Sequence, residues 1–397
     1  MAKIQRGAYP HIHSGSSTHS YMFDLPITTY PMAVVAIIFQ FLYSTIVLNL
    51  SFSSGIEVAI RAALVIFVAV GSCLLAESLW WRFVDKKYEG FAGWFRIMAT
   101  TYPSITGMLY ALALPINTPL YVVFIGGFVA IILGKTIFGG VGQNIFNPAL
   151  VGRAFVTIAW ADLLSQKATD YVSFIPDHQI ADGYSSASPL AHLASETAGY
   201  LPTLSQIIDQ FGSFWNILLG FYPSALGEGL SWWIILAAIY LAFRKTINWY
   251  VPTIYVGLVF LMSWAVALIS GLGGFDSNGL EFLAIYYPLF QVLTGGLLFG
   301  AVFMATEPVT SPMTRRGKII FATYLAIITF AIRMLGGYPE GVLFSILIMN
   351  MFVPLIDGAF ASQNRGIRVK EWIFYGFTIA LIIGLVFYVT TTVGGVA

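Results

Sequence analysis

Three acids stand where few acids belong. Glu77, Glu307 and Asp357 lie in or beside long apolar runs of this 397-residue chain. An ionisable group inside a membrane is costly and by default marks an ion or proton path. Arg61, Lys135, Arg153 and Arg333 are cations in or beside such runs. Each acid therefore has two readings, a structural ion pair or a step on an ion pathway. A hard cation such as sodium takes oxygen ligands, and carbonyls freed by broken helices supply them without any acid. A second kind of chemistry lies in a polar stretch, Asp182-Gly183-Tyr184-Ser185-Ser186-Ala187-Ser188. It offers a small hydroxyl that can form an ester, beside Asp and Ser residues of the kind that set local turns.

That stretch follows the pattern Asp-x-x-Ser/Thr-Gly-Ala-Thr/Ser read by flavin transferases, in which the last hydroxyl is esterified to the phosphate of FMN. Ser188 would be the acceptor, Asp182 would contact the transferase and Ser185 would help set the turn. Two positions depart from the pattern: the acceptor is Ser188 where Thr is usual, and Ser186 replaces the Gly. Serine carries the same nucleophilic hydroxyl, so the reading stands. A phosphoester tether fixes where a flavin sits and leaves its ring to do the electron chemistry. The plain alternative is an ordinary Ser/Gly/Asp loop, since short patterns match by chance.

The elements that must position these residues are membrane helices. Hydrophobic residues make up 58% of the chain and charged residues 9%, with mean hydropathy +0.81. A soluble domain carries about 25% charge. The net charge of +1 gives no global field to attract nucleic acid. The first thirty residues are polar and hold His11, His13 and His19, unlike a cleavable signal peptide. With His178 and His192 these five histidines form no convincing metal set. Cys73 is the one cysteine, so the chain has no internal disulfide and lacks the roughly four thiolates of an iron–sulfur cluster.

A spanning helix needs about 20 apolar residues. Spans are predicted near 31–50, 57–81, 103–114, 119–138, 145–161, 231–243, 250–271, 291–305, 319–335, 341–356 and 372–393. Three of these, 103–114, 231–243 and 291–305, are short enough to be half-helices. Basic clusters at Lys3/Arg6, Arg82/Lys86/Lys87, Arg244/Lys245, Arg315/Arg316/Lys318 and Arg365/Arg368/Lys370 favour the cytoplasm. The loop 162–212, with one Lys and several acids, then faces outside. Five parts follow: a cytoplasmic segment 1–30, a membrane repeat 31–161, the loop 162–212, a second repeat 213–360, and a turn with an added helix over 361–397.

The repeat rests on two pairs of segments. Ile105-Thr106-Gly107-Met108-Leu109 resembles Leu293-Thr294-Gly295-Gly296-Leu297, and Phe146–Gly152 resembles Phe352–Gly358. A unit of five spans must be inverted when repeated, which places sites near the midplane where discontinuous helices meet. Asn147-Pro148-Ala149 reads as a Pro-led helix start whose Asn satisfies backbone groups. Gly139-Gly140-Val141-Gly142 reads as a tight turn or a close helix contact rather than a nucleotide loop, because no strand precedes it.

Several stretches together carry a family resemblance. Pro10-His11-Ile12-His13, Met22-Phe23-Asp24, the run from Gly134 to Ala149, Phe303–Pro312, Arg333–Gly341 and Asn350–Asp357 resemble the D subunit of the Rnf complex and its relative, the B subunit of the sodium-pumping NADH:quinone oxidoreductase. The resemblance implies an all-α polytopic protein of about 10 transmembrane helices in two inverted five-helix repeats, urea-transporter-like, here with an extra C-terminal helix. It implies a subunit, not a complete enzyme, of an ion-translocating ferredoxin:NAD⁺ oxidoreductase in the cytoplasmic membrane. It also implies covalent FMN at Ser188, a non-covalent riboflavin, coupling to Na⁺ or H⁺, iron–sulfur partner subunits and a flavin transferase. The rival within the family is the quinone-reductase subunit. The rival from another class is a solute channel on the same bundle, since a fold alone does not fix function.

Overall fold

The computed structural model describes residues 18–47, 49–86, 90–161, 214–222, 224–270, 283–335, 341–360 and 369–392. Ser188, Asp182 and Ser185 lie outside them. So do His11 and His13, the whole loop 162–212, and residues 336–340.

The described residues are helical apart from turns and one isolated bridge, Pro115 to Ala225. In chain order the helices are α1 (Thr18–Leu42), α2 (Phe52–Phe83), α3 (Gly90–Thr101), α4 (Pro103–Leu112), α5 (Leu120–Ile132), α6 (Pro148–Ala159), α7 (Phe214–Leu219), α8 (Ser231–Phe243), α9 (Tyr250–Ile269), α10 (Leu283–Leu293), α11 (Leu297–Phe299), α12 (Arg315–Leu335), α13 (Gly341–Phe360) and α14 (Val369–Thr392). A π turn, Tyr43–Val47, extends α1, and another, Gly300–Met304, extends α11.

Seven segments are long and apolar enough to cross a membrane, and α10 with the extended α11 makes an eighth, bent by 62°. This is a multi-pass membrane protein. Of the eleven predicted spans, 103–114 and 231–243 are the short helices α4 and α8, with 10 and 13 residues, as their length suggested, and 145–161 is cut back to the 12 residues of α6. At 1.5 Å per residue these reach roughly 15–20 Å, short of a hydrocarbon core of about 30 Å. Two further differences lie at the start. Helix α1 begins at Thr18, inside the segment read as a polar N-terminus. Gly90–Thr101 forms a helix where none was predicted.

Asp24 explains the first difference. It is buried within α1 and receives hydrogen bonds from Arg244 (Nη2, 3.2 Å) and Thr246 (Oγ1, 2.5 Å) in the turn before α9. Trp233 Nε1 adds a bond to the Thr28 carbonyl at 3.2 Å. A buried carboxylate with such donors belongs to the packed protein.

The core forms around two similar packing arrangements. Helix α2 packs on α4 and α5, and α5 on α6. In the same order α9 packs on α10 and α12, and α12 on α13. Helices α6 and α13 touch where the two halves meet. Gly107 lets α4 cross α2 closely, since a Cβ there would fall 2.7 Å from Val70 Cα. Cys73 is buried against the Gly127 carbonyl, as a packing residue would be.

Candidate functional site

Each half of the protein contains a broken helix, and at each break a cation closes the upstream end. Between α3 and α4 the chain turns at Tyr102, whose φ of 54° is left-handed. The cause is local: Pro103 clashes with a helical conformation at the residue before it. The last carbonyls of α3 then lack intrahelical donors. Lys135, just past the end of α5, donates from Nζ to the Thr101 carbonyl at 2.5 Å. The same Nζ lies 2.6 Å from Glu77 Oε2 on α2. Both side chains are almost fully buried, at 4% and 1% exposure. A cation at a helix C-terminus also meets the favourable end of the helix dipole.

The second break falls between α10 and α11, with Gly295 at φ 67°. Arg333, in the last turn of α12, donates from Nη1 to the Gln291 carbonyl at 2.6 Å and from Nη2 to the Thr294 carbonyl at 3.5 Å. Lys135 and Arg333 thus do the same task in the two packing arrangements.

The first break opens onto a cavity of about 40 Å³ whose walls include Thr101, Tyr102, Lys135, Asn144, Asn147 and Glu307. At roughly 10–15 Å³ per water, that is space for about three or four waters or a small cation. Asn147 caps α6: its Oδ1 accepts from Leu150 N at 3.3 Å, ahead of Pro148 in the first turn. This is the helix start read from the sequence. Asn350 of α13 reaches across, its amide placed to donate to the Thr310 carbonyl and accept from Asn147 N at 3.2 Å. The glycine stretch forms the tight turn leading here, with positive φ at Gly139, Gly140 and Gly142.

Glu307 lies in the connection 305–314, outside the spans, and accepts from Thr310 Oγ1 at 3.1 Å. Burial pushes its carboxyl up to about 7, against the opposing pull of Thr310, Asn144, Lys135 and Asn147. Lys135 therefore links the two acids: it pairs with Glu77 and lines the cavity together with Glu307. Asp357 lies elsewhere: its carboxylate accepts from Met313 N at 3.0 and 3.2 Å and does not line the cavity. Of the cations named from sequence, Arg61 donates to the Thr118 carbonyl at 2.8 Å and Arg153 is buried in α6. The capping role of Lys135 and Arg333 was missed. The signals were Pro103 and Gly295, which end helices whose carbonyls then need donors.

The amide and ammonium donors around the cavity match the polar edge of a flavin ring. The enclosed space does not, since ligand pockets run about 300–1,000 Å³. No flavin is assigned to it. Among the described residues no cluster of His, Cys, Asp and Glu is arranged to hold a metal ion.

Broken helices packed inside an apolar bundle, with charged groups at the breaks, define a class: membrane proteins that move ions or solutes. The particular membership comes from comparison. The family model described as "NQR2, RnfD, RnfE family" matches residues 6–366, and the chain belongs to that family. It is 32% identical over 363 residues, 91% of this chain and 95% of the relative, to the D subunit of the Na⁺-translocating ferredoxin:NAD⁺ oxidoreductase complex of Acetobacterium woodii. It is 38% identical over 253 residues, 64% of this chain and 71% of the relative, to the D subunit of the proton-translocating complex of Clostridium ljungdahlii. The B subunit of the Na⁺-translocating NADH-quinone reductase of Chromohalobacter salexigens is 34% identical over 67% of this chain and 60% of its own length.

Proposed function

We propose that this chain is the D-type membrane subunit of an Rnf-type ion-translocating ferredoxin:NAD⁺ oxidoreductase. The observation that carries this is the near end-to-end match to the Acetobacterium protein. With Cys73 as its one cysteine the chain cannot hold an iron–sulfur cluster by itself. Partner subunits supply the clusters and the NAD site.

Ser188 is proposed to tether FMN through a phosphoester on the extracytoplasmic side of the cytoplasmic membrane, after a flavin transferase reads Asp182 and Ser185. The FMN supplies electron transfer, and a non-covalent riboflavin is proposed as a second carrier. The chain's own part is to hold the tether and to shape the ion route.

Segments 31–161 and 213–360 are proposed as inverted repeats. Supporting this are the shared packing order, the matching breaks at Tyr102 and Gly295, and the matching caps Lys135 and Arg333. The ion route is proposed to pass the cavity beside Glu307 and Glu77. Lys135 holds Glu77 and the Thr101 carbonyl together, so any change of charge nearby acts on the helix break. Asp357 is proposed for the same route at a separate point.

The test is purification through a tag on this chain, followed by ferredoxin-dependent NAD⁺ reduction in vesicles with ion uptake measured. Co-purifying cluster-bearing subunits and coupled uptake are expected. Quinone-reductase partners would move the chain to the sister complex, and transport without redox partners would make it a solute channel.

A further inference from the structure

Glu307 stands on a stiff connection. Pro308 and Pro312 bracket Val309, Thr310 and Ser311, and each proline ring fixes its backbone φ at about −65°. Thr310 and Ser311 are buried, and Thr310 Oγ1 donates to Glu307 Oε2 at 3.1 Å. Helix α13 holds this connection at two places. Asn350 donates to the Thr310 carbonyl at 3.0 Å. Two turns further on, Asp357 turns both carboxylate oxygens to Met313 N, the first backbone N–H after Pro312, at 3.0 and 3.2 Å. Residues seven apart lie on one face of a helix, so one face of α13 holds the connection at both points. The joint is close-packed: a Cβ on Gly317, in the first turn of α12, would fall 3.0 Å from Pro312 Cβ and 3.2 Å from Ile356 Cγ2.

We propose that Asp357 is a positioning residue, which anchors the 305–314 connection to α13 and thereby sets where the Glu307 carboxyl stands beside the cavity. Geometry separates this role from ion binding. The two oxygens of Asp357 share one backbone donor, and the carboxylate does not line the cavity. An anchor needs an acceptor, so an amide oxygen can replace it. An ion ligand or a counter-charge needs the carboxylate itself. The charged neighbours are Lys318 of α12 for Asp357 and, for Glu307, Lys135, which pairs with Glu77. The bearing of this anchor on ion movement rests on the route proposed above, whereas the anchor itself is tested without ions or redox partners.

The experiment follows the melting midpoint of the full chain in detergent from about pH 4 to about pH 8. In the wild type the fall due to Glu307 ends at about pH 7. Asp357→Ala frees the connection and lets water reach Glu307, so that end should move roughly one pH unit lower, towards an ordinary carboxyl. Asp357→Asn should leave it in place, because its amide oxygen still accepts from Met313 N. Asp357 also stands at the start of α12, so Asp357→Ala risks misfolding. Pro312→Gly loosens the same link with Asp357 intact and should move the fall in the same direction. In a Glu307→Gln background neither variant should have a fall to move. An equal shift in Asp357→Asn would assign the effect to the charge and overturn the proposal. So would an unmoved fall in folded Asp357→Ala or Pro312→Gly, or a shift of the same size without Glu307.

Discussion

Lys135 and Glu77 form a buried ion pair, Nζ to Oε2 at 2.6 Å, at the point where the Thr101 carbonyl ends α3. One ammonium therefore balances an acid inside the bundle and closes a broken helix. The pair ties α2, α5 and the α3–α4 break into one unit.

Lys135→Met leaves Glu77 without its cation and Thr101 without its donor. Breaking one side of a buried pair costs roughly 3–5 kcal/mol. The melting midpoint of the variant in detergent should fall sharply. Glu77→Gln combined with Lys135→Met should recover a large part of the loss, because no buried charge is then left alone.

Arg333→Met removes bonds to two carbonyls at the second break. A hydrogen bond from a charged donor contributes roughly 1.5–3 kcal/mol, so a loss of that order is expected in thermal unfolding. Arg333→Lys should lose less, since it keeps the charge near the helix end but not the fork that spans Gln291 and Thr294.

Gly107→Ala adds a methyl group 2.7 Å from backbone Val70 Cα. Backbone cannot rotate away as a side-chain tip does, so α4 must move off α2. Overpacking of this kind costs about 1–3 kcal/mol. Gly257→Ala, which meets nothing within 4 Å, is the control and should unfold at the wild-type temperature or slightly above.

Glu307 gives a pH dependence with a definite sign. Its carboxyl sits at about 7 in the folded protein against an ordinary 4.5. A raised folded value means the proton is held more tightly when folded. The resulting stability is fully present below about pH 4.5 and is lost as pH rises through about 7. The melting midpoint should fall between those values. Glu307→Gln should flatten that part of the profile, and an unchanged profile would assign it to other groups.

Much of the fold was legible because apolar length is a strong signal. The runs at 57–81, 250–271 and 341–356 all became long helices. Asn147-Pro148 announced the start of α6 because an Asn cap ahead of Pro leaves few alternatives. The N-terminal end of α1 was hidden by Asp24, a charge that looked exposed until Arg244 and Thr246, some 220 residues away, were seen to hold it. Helix α3 was hidden because its 12 residues are too few for a span and Arg96 interrupts their apolar run. In the site, the acids Glu77 and Glu307 stood out by composition. That Lys135 joins them follows from three-dimensional packing, which no spacing along the chain encodes.

The covalent flavin is the part of the account on which its redox role most depends. The direct measurement is peptide mass spectrometry across residues 168–215 of protein made together with a competent flavin transferase, with in-gel flavin fluorescence of the denatured chain alongside. The account predicts the mass of an FMN phosphoester on Ser188 and a fluorescent band that Ser188→Ala abolishes. An unmodified Ser188 in a non-fluorescent chain would contradict it.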